Sequence, residues 1–101
     1  MKKIYIIGDM HTVSAFRLSG VVGVVSDRDN ASSRLEEVIG KTDAGIVGIT
    51  SACAKDLQSR ITDINLNQQD TIVIEIPGID DPKDLTRSLV GYVAEALGIA
   101  L

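Results

Sequence analysis

The chain has 101 residues, enough for one domain with a hydrophobic core that needs no disulfide to hold it. Its net charge of −4 and aromatic content of 3% argue against nucleic-acid binding, which needs a basic stripe or stacking rings. A single cysteine excludes an internal disulfide, and the apolar runs fall far short of the about 20 residues that cross a membrane, so we expect a soluble cytoplasmic protein with no membrane insertion.

The first predicted elements are a strand, a tight turn and a short helix. The strand covers Lys3–Ile7, an apolar and mostly β-branched run that is typical of a parallel sheet buried on both faces. Gly8 permits the turn, and Asp9 or Thr12 can cap the helix, because a short side-chain oxygen accepts from free backbone N–H groups. Two apolar side chains face the core from this helix, Val13 and Phe16.

A second strand is predicted at Val21–Val25, and a second helix after it. Ser33 and Glu36 have the spacing of a capping box, which predicts the start of this helix, and Gly40 is its stop. Its apolar side chains follow at helical spacing: Leu35, Val38 and Ile39.

The third strand is predicted at Gly45–Thr50, and one continuous helix follows with Ser51 as its N-cap. Its buried face repeats with a period close to 3.6 residues, at Ala54, Leu57, Ile61 and Ile64. The fourth strand is predicted at Thr71–Ile76. Glu75 interrupts its apolar run, which indicates an edge strand, because a buried unpaired carboxylate is costly.

The last predicted element is a helix from Pro82 to Leu97, capped by Asp81 and about 24 Å long. Strands that alternate with helices predict an α/β fold, a small four-stranded parallel sheet of Rossmann-like βαβαβαβα topology in the order 2-1-3-4. We expect a single domain over 1–101, with an α/β core over 1–78 and an amphipathic C-terminal helix over 79–101.

The candidate chemical groups follow strands one and three, whose carboxyl ends meet where the strand order reverses, the usual ligand position in such a sheet. His11 and Cys53 could form a nucleophile–base pair only if their loops touch. Asp9 could accept a phosphoryl group, but the acceptor that a phospho-receiver carries after strand three is replaced by Thr50. No phosphate-binding glycine loop is present: the Gly-Lys-Thr at position 40 has no partner glycine at Leu35. We therefore predict no catalytic, cofactor-binding or metal-binding residue.

Several of these segments resemble the F subunit of V-type and archaeal A-type rotary ATPases. The resemblance rests on three pieces, Gly8-Asp9-x-x-Thr12-Val13-x-x-Phe16-Arg17-Leu18-x-Gly20, Ile49-Thr50-x-x-Cys53-Ala54, and the strand that ends in Ile76-Pro77. It extends over nearly the whole chain, although Met10-His11 stands where such proteins usually have a charged pair.

The resemblance implies a non-catalytic rotor subunit that binds the D subunit, a long helical hairpin, in the central stalk. The stalk turns inside the catalytic ring and couples ATP hydrolysis or synthesis to H⁺ or Na⁺ transport, so the chain would lie at the membrane surface within the soluble sector. The expected contacts with the D subunit are Arg17, Leu89, Tyr92, Val93, Ala96, Leu97 and Ala100. Two other hypotheses are a degenerate phospho-receiver-like signalling module and a small-molecule-binding regulatory domain.

Overall fold

A four-stranded, all-parallel sheet forms the centre of the fold and confirms the predicted α/β class and strand order. The computed structural model describes residues 2–77, so the predicted C-terminal helix lies outside the described residues. The strands are β1 (Lys3–Gly8), β2 (Val22–Val25), β3 (Ala44–Thr50) and β4 (Ile72–Ile76), in the order β2-β1-β3-β4. The helices are α1 (Met10–Arg17), α2 (Ala31–Ile39), α3 (Ser51–Ala54) and α4 (Gln58–Asn67).

The sheet has a hydrophobic core on each face. Strand β1 contributes to both cores, because successive side chains of a strand point to opposite faces. Tyr5 and Ile7 join the larger core cluster, together with side chains of α2, α3 and α4. Ile6 faces the other way and packs with Val13 and Phe16 of α1. Central strand β1 is therefore covered on both faces, as its continuous apolar run predicts.

The predicted capping box of α2 is wrong. The helix begins at Ala31, so Ser33 lies inside it, and Asn30 occupies the N-cap position without capping the helix through its side chain. The Asn30 side chain instead accepts from the Asp27 N–H at 2.9 Å, while the Asn30 N–H donates to the Asp27 carboxylate. This reciprocal turn starts the helix early, and Glu36 is left free to pair with Arg60 on α4.

The prediction of one continuous third helix is also wrong, because the chain forms two helices separated by a break at Lys55–Leu57. The Ala54 carbonyl accepts from the Leu57 N–H and from the Gln58 side-chain amide. In a continuous α-helix that carbonyl would accept from the backbone N–H of Gln58. The N-cap of α3 is Thr50, whose hydroxyl accepts from the Cys53 N–H, and not Ser51.

Strand β4 lies at the edge of the described sheet, as Glu75 predicted, and the Glu75 side chain is exposed. The Asn65 side chain of α4 covers part of this edge. It donates to the Val73 carbonyl at 2.9 Å and accepts from the Val73 N–H at 2.7 Å, in the place of a neighbouring strand. Such pairing protects an edge from association with another chain.

Candidate functional site

The candidate site lies where the carboxyl ends of β1 and β3 meet. Ile7 pairs with Ile49 there, so Gly8 and Thr50 are neighbours at the rim of the sheet. A Cβ atom added at Gly8 would overlap the methyl group of Thr50. The two strand ends therefore pack directly on each other, and glycine is required at position 8 by this close approach.

Asp9, one of the two caps that the sequence allowed, is the N-cap of α1. Its carboxylate accepts from the Thr12 N–H at 3.1 Å and from the Thr12 hydroxyl at 2.7 Å. Burial acts to raise the pKa of this carboxyl, but the hydrogen bonds from Thr12 outweigh burial, so the pKa of Asp9 lies below its usual value. Both carboxylate oxygens are occupied by the chain's own helix.

We expect Asp9→Ala to lower the free energy of unfolding by about 1 kcal/mol at pH 7. Because the folded-state pKa of Asp9 is lowered, its stabilisation is present above the unfolded-state value of about 3.9 and is lost as the pH falls through the folded-state value. The difference between the unaltered chain and Asp9→Ala should therefore be full above about pH 5 and shrink below about pH 4, measured by urea unfolding.

Asp9→Asn is the matched control, because asparagine is an equally favoured cap but does not titrate. Asp9→Asn should be more stable than Asp9→Ala by an amount that does not change with pH. A loss in Asp9→Ala that is equally large in acid and at neutral pH would contradict a carboxylate cap.

The structure does not join His11 and Cys53 into a nucleophile–base pair. Cys53 is buried in the core, and its Sγ donates to the Ser26 carbonyl at 3.8 Å, whereas His11 is exposed. No hydrogen bond connects the two side chains within residues 2–77. In the same part of the chain, no cluster of three or more His, Cys, Asp or Glu side chains is placed to hold a metal ion.

Arg17 is the one expected partner residue that the structure describes. Its guanidinium is exposed and donates to the Gly23 carbonyl of β2 at 3.3 Å. Gly23 allows this approach, because a Cβ there would lie 2.7 Å from Arg17 Nε. Arg17 therefore holds the strand beside its own helix. The other six expected partner residues, from Leu89 to Ala100, lie outside the described residues.

Sequence reasoning missed a polar contact at the opposite, amino-terminal edge of the sheet. The side chain of Tyr5 is buried, and its hydroxyl at the edge of the core donates to Asp43 Oδ1 at 2.6 Å; Lys3 forms an ion pair with the same carboxylate at 3.5 Å. The hydrogen bond from Tyr5 is the main reason that the pKa of Asp43 is lowered. A tyrosine inside an apolar run is the available signal, since a buried hydroxyl needs a partner. This contact fastens the loop before β3 to β1.

A shallow open groove of about 420 Å³ also lies at the amino-terminal edge, beside β3 and β4. Amide and other polar side chains line much of it, among them Asn65, Gln68, Gln69 and Thr71. Ligands of doubly wound sheets bind at the opposite edge. The Asn65 side-chain amide is hydrogen-bonded to the backbone of Val73, and the Thr71 hydroxyl donates to the Ala44 carbonyl at 2.8 Å. These two groups serve the fold.

The described residues thus form a small doubly wound α/β domain whose polar groups at the strand-order reversal are used to cap its own helices. Within residues 2–77, none of the helices has the length and apolar character needed to cross a bilayer. Residues 4–91 match the family model described as ATP synthase (F/14-kDa) subunit. The chain belongs to this family, the F subunits of A- and V-type ATP synthases.

Two relatives agree with this assignment over almost their full lengths. The chain is 30% identical to the F subunit of the A-type ATP synthase of Thermococcus kodakarensis, over 98% of this chain and 97% of the relative. It is 26% identical to the F subunit of the A-type ATP synthase of Methanocaldococcus jannaschii, over 88% of this chain and 95% of the relative.

Proposed function

We propose that this chain is the non-catalytic rotor subunit of an A/V-type ATPase, bound to the D subunit in the central stalk. In this role it helps to couple ATP hydrolysis or synthesis in the catalytic ring to transport of H⁺ or Na⁺, and it sits peripherally in the soluble sector at the membrane surface. The observation that carries the proposal is the family match over residues 4–91.

The geometry at the carboxyl edge of the sheet supports a non-catalytic role. The Asp9 carboxylate is bound by Thr12, and the Thr50 hydroxyl is bound by the Cys53 N–H at 3.4 Å. A phospho-receiver needs a free acidic pair and an acceptor carboxylate at these positions. We therefore expect no phosphoryl transfer to Asp9 from acetyl phosphate.

The proposed contact with the D subunit rests on the apolar stripe of the C-terminal segment. Its members recur at helical spacing: Leu89, Tyr92, Val93, Ala96, Leu97 and Ala100. A helix with such a stripe can lie along a helical hairpin and bury side chains at i, i+3, i+4 and i+7. Each large apolar side chain buried there contributes roughly 1.5–3 kcal/mol before the costs of association.

The test is a calorimetric titration of the D subunit into the full-length chain and its variants. Leu89→Asp and Leu97→Asp should each weaken binding by about tenfold or more, because a carboxylate cannot be buried unpaired in the interface. Leu66→Asp is the matched control, since Leu66 is 79% exposed on α4, and it should bind as the unaltered chain does.

Circular dichroism and urea unfolding of each variant separate interface residues from core residues. Unchanged affinity of a folded Leu97→Asp chain would refute the contact with the D subunit. Unfolding of the isolated Leu97→Asp chain would place Leu97 in the monomer's own core and would refute the same contact.

A further inference from the structure

Of the four large apolar side chains that are exposed within residues 2–77, three lie on one side of the domain, and the fourth is Leu66 on α4. Met10 is 66% exposed, Leu18 is 90% exposed and Val25 is 40% exposed. All three belong to α1, to its C-cap or to the adjoining edge strand β2. Exposed apolar surface that is grouped, rather than scattered, marks a site of interaction.

The spacing of these residues places them in one strip. Arg17 and Leu18 follow Met10 by seven and eight positions. At about 100° per residue, the three residues share one side of α1. A Cβ at Gly23 would touch both Val13 and Arg17, so α1 packs closely against β2. The strip follows α1, whose eight residues span about 12 Å, or two turns of a facing helix.

Val25 extends the strip beside Met10, at the amino-terminal end of α1. Val25 pairs with Gly8, and Gly8 precedes Met10 by two positions, so both apolar side chains lie at the carboxyl edge of the sheet. The α1–β2 strip is defined here as Met10, Ser14, Arg17, Leu18 and Val25. Ser14 is exposed between the others, so no bulky side chain interrupts the strip.

Arg17 gives the strip an unmatched positive charge. Among the arginines at positions 2–77, Arg28, Arg34 and Arg60 each form an ion pair with a carboxylate. Arg17 forms none within that range, and its only hydrogen-bond partner there is the Gly23 carbonyl. A guanidinium has five N–H donors in a planar fork, so enough donors remain to bind one carboxylate through two parallel hydrogen bonds.

The carboxylates that follow the ends of β1 and β2 are held in local turns and form no ion pair with Arg17. Asp9 is held by Thr12, and Asp27 accepts from the Asn30 N–H at 2.9 Å. A partner's carboxylate opposite Arg17 would therefore meet a cation whose charge is not neutralised within the described part of the chain.

The edge of β2 favours a helix over an added strand. The Ser26 N–H donates to the Gly8 carbonyl. The backbone N–H and C=O groups of Val22 and Val24 therefore also point toward β1, and those of Gly23 point outward from the sheet. Arg17 occupies the outward carbonyl of Gly23, which a partner strand would need. One backbone acceptor that strand addition would use is therefore already bound, whereas the exposed side chains of the strip are available to a partner helix.

We propose that the α1–β2 strip binds an amphipathic helix that carries a carboxylate opposite Arg17 and apolar side chains on either side of it. The inference rests on the proposed function, because the helix is assigned to the D subunit. It adds a second contact on the α/β core to the proposed contact of the C-terminal segment.

The test is the same titration with the D subunit, using full-length variants of the strip. Arg17→Glu should weaken binding about 10- to 100-fold, because it replaces a charge-assisted hydrogen bond by repulsion. Leu18→Asp should weaken binding about tenfold or more. Lys55→Glu and Leu66→Asp are the matched controls, since both side chains are exposed away from the strip, and each should stay within about twofold.

A charge exchange identifies the partner residue. Among variants of the D subunit in which single Asp or Glu residues on the helices are replaced by Arg, one should restore the affinity of Arg17→Glu. Urea unfolding of every variant confirms that the fold is retained; Arg17→Lys, which keeps the charge but loses the fork, should give an intermediate affinity.

The outcomes separate this inference from the proposed function. If the unaltered chain does not bind the D subunit, the proposed function fails and this occupant fails with it. If Leu97→Asp weakens binding while Arg17→Glu and Leu18→Asp do not, the strip is not part of the interface and only the present inference is overturned. Tighter binding by Arg17→Ala would mean that the guanidinium opposes binding and would also overturn the inference.

Discussion

Replacing Phe16 by alanine should lower the free energy of unfolding by about 3–5 kcal/mol. Phe16 is the chain's only phenylalanine, it is 2% exposed, and it packs with Ile6, Val13 and Ile76 on the face of the sheet that α1 covers. Removing the ring leaves a cavity that α1, fixed at Asp9 and at Gly23, cannot readily close. Against a total stability of about 5–15 kcal/mol, this loss is large.

Urea unfolding followed by circular dichroism measures the loss. Phe16→Leu retains much of the buried volume and should lose clearly less than Phe16→Ala. Leu66→Ala is the surface control, because Leu66 is 79% exposed, and its effect should stay within about 0.5 kcal/mol. A loss below about 1 kcal/mol for Phe16→Ala would show that α1 is not firmly packed on the sheet.

Gly23→Ala should destabilise the fold by about 1–3 kcal/mol, although it adds only one methyl group. The new Cβ would overlap Cγ1 of Val13 and come within 2.7 Å of Arg17 Nε. Arg17 can move into solvent, but Val13 is fully buried and cannot. The helix α1 must therefore shift away from β2.

Gly40→Ala is the matched control with the opposite sign. Gly40 has a φ of −71°, which any residue adopts, and the nearest atom to an added Cβ is 3.4 Å away. Alanine there should stabilise the chain by about 0.4–1 kcal/mol through the lower entropy of the unfolded state.

A double-mutant cycle tests the stated cause of the Gly23→Ala loss. Val13→Ala combined with Gly23→Ala should lose less stability than the sum of the two single changes, because the smaller side chain makes room for the new methyl group. Strict additivity would mean that Val13 is not the obstacle. The measurement is again urea unfolding.

The strands and their order were predictable from the sequence alone. The strands are short runs rich in Ile and Val that end at glycine, proline or polar residues, and each observed boundary lies within one residue of the prediction. The alternation of strands and helices then restricts the topology, because crossover connections between parallel strands are right-handed. Asp9 was predictable as a helix cap for a related reason: the groups it binds are three residues away.

The starts of α2 after Asn30 and of α3 after Thr50 were not predictable, because several neighbouring residues can equally well precede the first helical turn. The sequence pattern favours Ser33 and Ser51, and local spacing does not distinguish them from the residues that the fold uses. The break before α4 has the same origin. It depends on a side-chain amide, that of Gln58, competing for the Ala54 carbonyl.

The sequence by itself determined the strands and their apolar faces, because these follow from periodicity within short segments, and the alternation of strands with helices then determined the fold class and strand order. Only the tertiary structure decided the partners of polar side chains that are distant in the sequence. Tyr5 meets Asp43 across 38 residues, and Arg60 meets Glu36 across 24. It likewise placed Arg17 against Gly23 beside exposed Met10, Leu18 and Val25. Such contacts depend on which segments the folded sheet brings together, and no local pattern in the sequence encodes the proximity of distant segments.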